Sequence, residues 1–388
     1  MAGHIRKLGK RKDGSWRWVA YMPDPDKGGT AKIERSFRKK ENAEAWLTSE
    51  GASQQQGTWI NPRQGERPFR DVLEAWKEGW HRLSPTTRAR YEGIVNIYLL
   101  PEFGATPIGR ITHEVVQRYI NRLSAREDIA AGTVRNVYAV LRNAMSKGVR
   151  LGLVKVNPCS KVDLPRSPRE EMLFLTAEEV RAVAEAIDPF YRVLIYTAAY
   201  TGMRAGELHA LRRQDFDPLR GVVHVRRSLK EVSGHQTFGP TKTQETRTIS
   251  LPKFLRDMLA AHLATLPGGT PEALVFPSRT GKPLRHNLFY GRHFKVAVRA
   301  ALPADKAGLR FHDLRHTCAS LAVASGAHPK MVQEMLGHSS ITITLDRYSH
   351  LFPSAHEALA ERLDATFAAA EVGPVASNVV EIRAEGTR

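Results

Sequence analysis

The sequence predicts a multidomain, mainly α-helical protein that begins with a small β-sheet and ends in a mixed α+β domain. Its 388 residues exceed the usual length of one domain, and 42 % of them are hydrophobic, which suffices for several cores. Two segments rich in Gly, Gln or Pro, from Gly51 to Gly65 and from Asn157 to Pro168, lack hydrophobic periodicity and indicate linkers. We therefore expect three domains followed by a tail.

Composition limits the kind of partner and the compartment. The 58 Lys and Arg against 40 Asp and Glu give a formal charge of +18, which favours a polyanion such as nucleic acid as partner over a merely basic surface. Cys159 and Cys318 are the only cysteines, and their spacing is not that of a metal site. We therefore expect no disulfide framework and a protein that works in a reducing cytoplasm. The sequence contains neither a signal-peptide pattern nor an apolar run of membrane-spanning length.

Residues 1–55 are predicted to form a small sheet backed by a helix. Aromatic and β-branched residues from Ser15 to Tyr21 predict one strand, and the alternation from Lys32 to Phe37 predicts another. Turn-forming residues dominate the sequence between them. Apolar residues on one face from Asn42 to Thr48 predict the helix.

Residues 66–160 are predicted to form a compact domain of four helices. Apolar residues recur at helical spacing from Phe69 to Trp76, and the Ser-Pro pair at 84–85 supplies a cap and a first-turn proline for the second helix. Two more helices are expected at 115–123 and 133–147. The buried face of the second helix is expected to consist of Tyr91, Ile94, Ile97 and Tyr98.

Residues 170–370 are predicted to form the α+β domain. A capping box at 176–179 opens its first helix, because Thr176 and Glu179 have the spacing that satisfies two backbone N–H groups reciprocally. Strand-like sequences occur at 221–225 and 248–251, with a polar region between them.

The C-terminal end is predicted to be a helix and a tail. The helix runs from Ala355 to Ala369, with Ser354 as its cap. Residues 371–388 are expected to be flexible.

Two arginines, two histidines and a tyrosine stand out in the second half of the chain. Arg204 follows a Thr-Gly turn at a helix start, which favours an anion. His312 and Arg315 are three residues apart and therefore share one helical face. His338 and the Tyr348 hydroxyl follow closely. Two guanidinium forks can hold both non-bridging oxygens of a phosphate and stabilise its pentavalent transition state.

The order of these residues resembles that of the tyrosine recombinases, the phage integrase family. The resemblance covers residues 66–368, with a fainter match at the N-terminus. It implies an arm-type DNA-binding domain at 1–55, a helical core-binding domain at 66–160 and a catalytic domain at 170–370. The catalytic residues that it implies are Arg204, Lys242, His312, Arg315, His338 and Tyr348.

The resemblance also implies a role for each residue near the nucleophile. Tyr348 would attack the phosphodiester, and His312 would assist as general base because a phenol has a pKa near 10. His338 would bind the scissile phosphate and support the transition state. The ten residues from His338 to Tyr348 exceed by one the spacing of many family members.

Two further roles concern the leaving group and the first arginine. Lys242, preferred over the alternative Lys230, would protonate the departing 5′ oxygen, because it matches the hairpin lysine of the family. Glu207 would orient Arg204, although a plain Arg204–Glu207 salt bridge is the structural alternative.

Basic residues ahead of the catalytic domain are implied to contact the duplex. In the first domain they are Arg17, Lys32 and Arg35, and in the second they are Arg88, Arg90, Arg135, Arg142 and Lys147. Ordinary solvated charges remain the alternative for each.

The function implied is that of a site-specific DNA recombinase, an integrase that integrates or excises a mobile element such as a phage genome. Cleavage and rejoining would pass through a 3′-phosphotyrosine, without metal, ATP or another cofactor. A homo-tetramer would assemble on double-stranded attachment sites in the bacterial cytoplasm, associated with the nucleoid, and an excisionase and a host DNA-bending protein would be accessory partners.

Two alternatives stay open at the level of sequence. Residues 319–345 also have the rhythm of a helix-turn-helix, which would make the chain a basic DNA-binding regulator without catalysis. A type IB topoisomerase-like enzyme would share much of the chemistry but would relax DNA. Neither a phosphate-binding Gly-rich loop nor metal-ligand spacing is recognisable.

Overall fold

The computed structural model describes residues 3–10, 14, 16–24, 31–55, 59, 61–166, 172–232, 234–241, 245–352 and 355–372. The chain divides into two compact units, residues 1–169 and residues 170–388. Helices predominate in both units and the strands are short. The predicted fold class, multidomain and mainly α with a small N-terminal sheet, is confirmed.

The first unit begins with an antiparallel sheet of three strands, whereas the sequence predicts two. His4–Lys10 (β1) pairs with Trp16–Pro23 (β2), and β2 pairs with Lys32–Phe37 (β3). Strand β1 is not predicted because its basic residues mask the alternation on which a strand prediction depends. Helix Lys40–Gln55 (α1) packs on one face of the sheet. The buried residues of this small core are Ala20, Met22, Ile33, Ala43 and Trp46.

The linker predicted from Gly51 to Gly65 is wrong at both ends. Helix α1 continues to Gln55, because Ala and Gln sustain a helix that is already nucleated, and one Gly costs only about 1 kcal/mol. Pro62–Glu66 forms a 3₁₀ turn, and the Asn61 side chain caps it by accepting a hydrogen bond from a backbone N–H at 3.0 Å.

Helices make up the rest of the first unit. Ser84 caps the second of them, as predicted, by accepting a hydrogen bond of 3.3 Å from the backbone N–H of Thr87. A π-helical turn over Val95–Leu99 continues that helix into the next. The helices are Phe69–Lys77 (α2), Pro85–Ile94 (α3), Leu100–Phe103 (α4), His113–Ser124 (α5) and Ala131–Arg150 (α6).

The π turn changes which residues of this helix are buried. Val95 and Leu99 are fully buried, whereas Ile97 is 66 % exposed, so the assignment of Ile97 to the core is wrong. A π turn takes more residues than an α turn, and it therefore shifts the phase of a stripe that is predicted with a period of 3.6. Ile94, which precedes the π turn, is buried as predicted.

The second unit is built around α-helices. Thr176 and Glu179 form the predicted capping box, with N–H to side-chain distances of 3.2 and 2.8 Å. The second helix of this unit, Arg192–Thr201, packs against Ala177–Ala186, Lys253–Thr265 and Asp313–Ala324. The helices are Ala177–Ala186 (α7), Arg192–Thr201 (α8), Ala205–Leu208 (α9), Lys253–Thr265 (α10), His286–Phe289 (α11), Lys295–Ala301 (α12), Asp313–Ala324 (α13), Pro329–Leu336 (α14), Ile341–Tyr348 (α15) and Ala355–Val372 (α16).

The described part of the second unit also contains five short strands. They are Phe216–Asp217 (β4), Val222–Val225 (β5), Ser228–Val232 (β6), His235–Gly239 (β7) and Arg247–Ser250 (β8). Strands β5 and β8 correspond to the two predicted strands, and they pair antiparallel with Val223 opposite Ile249. The β6–β7 hairpin lies in the region that the sequence indicates only as polar.

The C-terminal helix α16 extends three residues beyond the prediction, to Val372. Its predicted cap, Ser354, lies outside the described residues, as does the predicted tail from residue 373 onward; residues 371 and 372 are helical. Among the described helices, none is both long enough and apolar enough to cross a membrane.

Candidate active site

Arg204 is held at a sharp junction between two helices. Helix α8 ends at Gly202, whose φ of +61° is a left-handed conformation that favours glycine. A Cβ there would lie 2.4 Å from Leu336 Cδ2, so the close approach of α14 also requires glycine. Arg204 N-caps α9, and its backbone N–H and Nη1 each donate to the Glu207 carboxylate at 2.9 Å. The Nη2 group donates to the Gly337 carbonyl at 3.1 Å.

Arg315 enters the same site from α13. It is only 3 % exposed, and its Nη1 donates to the Gly202 carbonyl at 2.5 Å. Burial, together with the neighbouring positive charges of Arg204 and Arg247, lowers the pKa of Arg315 to about 9. His312, which N-caps α13, is exposed. A cluster of like charges in a desolvated place is costly unless an anion joins it, so this arrangement favours a phosphate.

His338 lies where α14 ends. Gly337 has a φ of +65° and turns the chain back, and His338 is 9 % exposed. The His338 Nδ1 shares a hydrogen bond of 2.8 Å with the Thr344 hydroxyl, which fixes the orientation of the imidazole. Burial, together with the positive charge of Arg315, lowers the pKa of His338 to about 3. His338 is therefore neutral at pH 7 and able to donate one N–H to a phosphate.

Tyr348 is the last residue of α15 and is completely buried. Its ring lies parallel to that of His338, with an interplanar angle of 8° and centroids 6.4 Å apart. The hydroxyl is hydrogen-bonded to Nδ1 of His316 at 2.7 Å. Burial raises the pKa of Tyr348 to about 12, and the positive charges of Arg315 and Arg347 offset this only in part. The phenol is therefore protonated in this arrangement.

His316 and Arg247 belong to the site but are absent from the set predicted by sequence. His316 follows Arg315 directly and lies one helical turn after His312, with ring centroids 5.3 Å apart, so its spacing could have revealed it. Arg247 starts β8 and forms a buried ion pair with Glu207, Nη2 to Oε2 at 2.7 Å. No local pattern signals that pair, because its partners are forty residues apart.

Lys242, the predicted general acid, lies outside the described residues. Its flanks are described, and the Thr241 hydroxyl donates to the Glu245 carbonyl at 2.8 Å. The alternative, Lys230, lies in β6 opposite Thr237. The preference for Lys242 over Lys230 therefore still rests on the sequence alone.

The basic residues predicted in the N-terminal sheet do not share one face. Side chains alternate along a strand, so Lys32 and Arg35 point to opposite faces. Arg35 lies on the face of Ile33, which α1 covers, whereas Arg17 and Lys32 lie on the other side. This other side, which we call the open face, also carries His4 and Arg6, neither of which is predicted from the sequence. The Tyr21 ring is stacked on the His4 ring, with the two ring centroids 4.9 Å apart.

The basic residues predicted in the helical region are exposed or half-buried, and several are engaged locally. Arg88 Nη2 donates to the Trp80 carbonyl at 3.2 Å, and Arg135 Nε donates to the Pro165 carbonyl at 2.9 Å. Arg90 lies over the Tyr91 ring, 5.8 Å from its centroid. Arg142 is exposed and Lys147 is half-buried on α6. Within the described residues no group of three or more His, Cys, Asp or Glu could hold a metal ion.

Comparison with known proteins identifies sequence relatives along most of the chain. The profile of the phage integrase family matches residues 173–354, and the profile of the phage integrase N-terminal SAM-like domain matches residues 68–124. The prophage phiRv2 integrase of Mycobacterium tuberculosis is 31 % identical over 354 residues, which are 89 % of this chain and 92 % of that protein. The integrase of Mycobacterium phage L5 is 28 % identical and covers 90 % of this chain and 95 % of its own.

Solved structures share the fold. The Tn1549 transposon integrase in complex with transposon right end DNA has a TM-score of 0.68 at 21 % identity, covering 77 % of this chain and 100 % of its own. A lambda integrase dimer bound to a COC′ core site has a TM-score of 0.55 at 18 % identity, covering 88 % of this chain and 93 % of its own.

Proposed function

This chain belongs to the phage integrase family of tyrosine recombinases, and we propose that its chemistry is carried out by the residues gathered around Tyr348. It is a site-specific DNA recombinase, an enzyme that cleaves and rejoins DNA. Neither a regulator without catalysis nor a relaxing topoisomerase is favoured by its relatives. The observation that carries the assignment is the convergence of Arg204, Arg315, His338 and Tyr348 on one place from four separate segments.

In the proposed reaction the two arginines hold the scissile phosphate. Arg204 and Arg315 would each donate to a non-bridging oxygen, and the neutral His338 would donate one N–H. The Tyr348 oxygen attacks phosphorus while the bond from phosphorus to the 5′ oxygen breaks, which leaves a 3′-phosphotyrosine. Lys242 is proposed to protonate the leaving 5′ oxygen. A 5′ hydroxyl from the partner strand then reverses the step.

The tyrosine proton has to leave before or during the attack. His312 remains the proposed general base, as in the family motif. His316, the direct hydrogen-bond partner of the Tyr348 hydroxyl, lies between that hydroxyl and His312. Burial and the nearby His312 lower the pKa of His316 to about 4, so its imidazole is neutral and can accept a hydrogen bond from the hydroxyl. Because the Tyr348 side chain is 0 % exposed, we propose that DNA binding displaces α15 to bring the hydroxyl to the phosphate.

The test of this function is covalent capture in cells. The wild-type protein would be expressed, denatured and isolated, and any attached DNA would be sequenced. Adducts that accumulate on one short sequence would reveal both the chemistry and the attachment site. In a host that carries an integrated copy of the element, absence of any adduct would contradict the function.

We propose that the open face of the N-terminal sheet contacts DNA. Arg6, Arg17 and Lys32 give it three cations, and exposed cations of this kind bind phosphates in a salt-dependent manner. In the helical region the same role is proposed for Arg88, Arg90, Arg135, Arg142 and Lys147. Removal of residues 1–55 is accordingly expected to spare cleavage at core sites and to cripple integration.

A narrower change tests the face itself. The double variant Arg6→Ala/Arg17→Ala should lower integration at least about tenfold, since each lost phosphate contact costs roughly 1 kcal/mol or more. Cleavage of a short core site should be unchanged. Arg35→Ala, on the face that α1 covers, is the matched control and should integrate normally. Equal loss in both variants would mean that the face assignment is wrong.

We also propose that α16 docks on a neighbouring protomer in a tetramer on DNA. Residues 360–368 are all exposed, including Leu363 at 59 % and Phe367 at 67 %, so this part of the helix does not pack on its own unit. Leu363→Ser/Phe367→Ser should reduce assembly on DNA, measured by native gel shift or light scattering, and strand exchange with it. Arg362→Gln on the same helix is the control. Unchanged assembly after deletion of everything beyond Ala355 would rule the docking out.

The remaining parts of the proposal follow from the family. The reaction would integrate or excise a mobile element such as a phage genome, with an excisionase and a host DNA-bending protein as accessory partners. It would take place on the nucleoid in the bacterial cytoplasm.

A further inference from the structure

Glu207 poses an electrostatic problem for the proposed mechanism. Its carboxylate is 1 % exposed and accepts two hydrogen bonds from Arg204. A buried carboxylate beside a guanidinium pairs with it strongly, and the pair is then close to neutral. If this were the whole arrangement, Arg204 would have little charge left for a phosphate.

Arg247 supplies a second cation to the same carboxylate. Its Nη1 donates to Oε1 of Glu207 at 3.1 Å and its Nη2 donates to Oε2 at 2.7 Å, which is the bidentate geometry of a guanidinium on a carboxylate. Burial by itself would raise the pKa of Glu207, but the hydrogen bonds and charge of Arg247, together with those of Arg204, hold that pKa below its usual range. Glu207 is therefore ionised and shared between two arginines.

The remaining contacts of Arg247 place it in the middle of the site. Its Nε donates to the Met335 carbonyl at 3.1 Å, near the end of α14. The backbone of Gly337 lies against its guanidinium, since a Cβ at that glycine would come within 3.0 to 3.2 Å of Arg247 atoms. Arg204 donates to the carbonyl of the same glycine. One side chain thus connects β8, α9 and the turn that presents His338.

We propose that Arg247 is a positioning residue that balances the charge of Glu207, so that the positive charge of Arg204 stays available for the scissile phosphate. The inference rests on the proposed function of this site. Three cations, Arg204, Arg247 and Arg315, stand against one anion, Glu207, which leaves a charge of +2 facing the phosphate. Without Arg247 the balance is +1, and the carboxylate pairs with Arg204 alone.

The experiment is a charge-rescue cycle on purified full-length protein. Cleavage is followed as covalent adduct formation on a duplex with a nick that prevents religation, at saturating DNA. Arg247→Met should slow cleavage about a hundredfold while the Kd for DNA stays within about threefold, because binding loses one charge of many but the positive charge of Arg204 is no longer available to the transition state. Glu207→Gln in the Arg247→Met background should restore at least about tenfold, since the competing carboxylate is gone.

A merely structural role gives the opposite sign. If Arg247 only supports the fold, the double variant cleaves no faster than Arg247→Met, and that result overturns the proposal. A cleavage rate for Arg247→Met equal to wild type overturns it as well. Arg227→Met is the matched control, because Arg227 pairs with the buried Asp215 at 2.7 Å, outside the site, and this variant should cleave normally.

Two further measurements keep the result interpretable. Thermal unfolding of each variant shows whether it folds. If Arg247→Met does not fold, Arg247→Lys replaces it, because Lys keeps the charge without the two-pronged guanidinium. Arg247→Lys should then cleave faster than Arg247→Gln, and equal cleavage rates would overturn the charge role. The proposed function is judged by whether wild-type protein forms an adduct that Tyr348→Phe lacks. The role of Arg247 is judged by the rescue, so the two ideas fail separately.

Discussion

The Tyr348→Phe protein should bind its attachment site as tightly as the wild type and never become covalently linked to it. The ring of Tyr348 is packed among α13, α14 and α15 in a small core with Ala319, Val323, Val332 and Leu336. Phenylalanine keeps that packing and removes only the oxygen that attacks phosphorus. The loss of adduct should be at least about a thousandfold, because no other group can form the phosphotyrosine bond.

The measurement is a denaturing gel of protein mixed with nicked attachment-site DNA. Tyr200→Phe is the matched control, since Tyr200 is a half-buried tyrosine of the same unit that packs on Phe254 with ring centroids 4.9 Å apart. It should form adduct at the wild-type rate. Any adduct in Tyr348→Phe would show that another residue is the nucleophile.

The same variant has a side effect on stability. Removal of the hydroxyl leaves Nδ1 of His316 without the partner that it has at 2.7 Å. A buried group that loses its hydrogen bond costs roughly 1–3 kcal/mol, so the free energy of unfolding should fall by that amount. Stability and catalysis are thereby separated, because the variant should still fold and still bind DNA.

The second unit should lose stability steeply between pH 7.5 and pH 5.5. Burial lowers the pKa of three histidines far below the ordinary value near 6.5: His209 to about 3, His316 to about 4 and His338 to about 3. They are 2 %, 6 % and 9 % exposed. Below pH 6.5 these histidines are protonated in the unfolded chain but stay neutral in the folded chain, so acid favours unfolding.

The pH range and the size of the stability loss both follow from the lowered pKa values of these histidines. Their contribution to stability is complete above pH 6.5 and is lost progressively as the pH falls toward the folded values. At pH 5.5 each histidine costs about 1.4 kcal/mol, so the three together cost about 4 kcal/mol. That is a large part of the stability of an ordinary domain.

Urea unfolding at a series of pH values measures this dependence. His209→Leu should remove about one third of the loss that these three histidines contribute. Its Nε2 has no hydrogen-bond partner within the described residues, so little else is removed. His235→Leu, at an exposed histidine, is the control. Equal free energies of unfolding at pH 7.5 and 5.5 would contradict the prediction.

Elements whose stabilisation is local could be predicted from the sequence. The caps at Ser84 and Thr176 are hydrogen bonds within three residues of the chain, so a short pattern contains both partners. Strands β5 and β8 show the apolar alternation of half-buried strands. The motifs around Arg204 and Tyr348 likewise contain enough chemistry to indicate phosphodiester exchange.

Elements that depend on backbone irregularity or on a distant partner could not be predicted in this way. The π turn after Ile94 exposes Ile97, and no composition signal marks such a turn. Strand β1 gains its stability from pairing with β2 and not from its own residues. The same holds for Arg35, whose face is decided by strand register.

The sequence by itself determined that this chain carries the residues of a tyrosine recombinase, because reactive groups and their short-range spacing are written in the order of residues. Only the tertiary structure decided how these groups are supported. Arg247 meets Glu207 across forty positions, and His316 meets Tyr348 across thirty-two. Such contacts arise when separate elements pack and exclude water, and it is this desolvation that makes a shared carboxylate and a hydrogen-bonded phenol matter energetically.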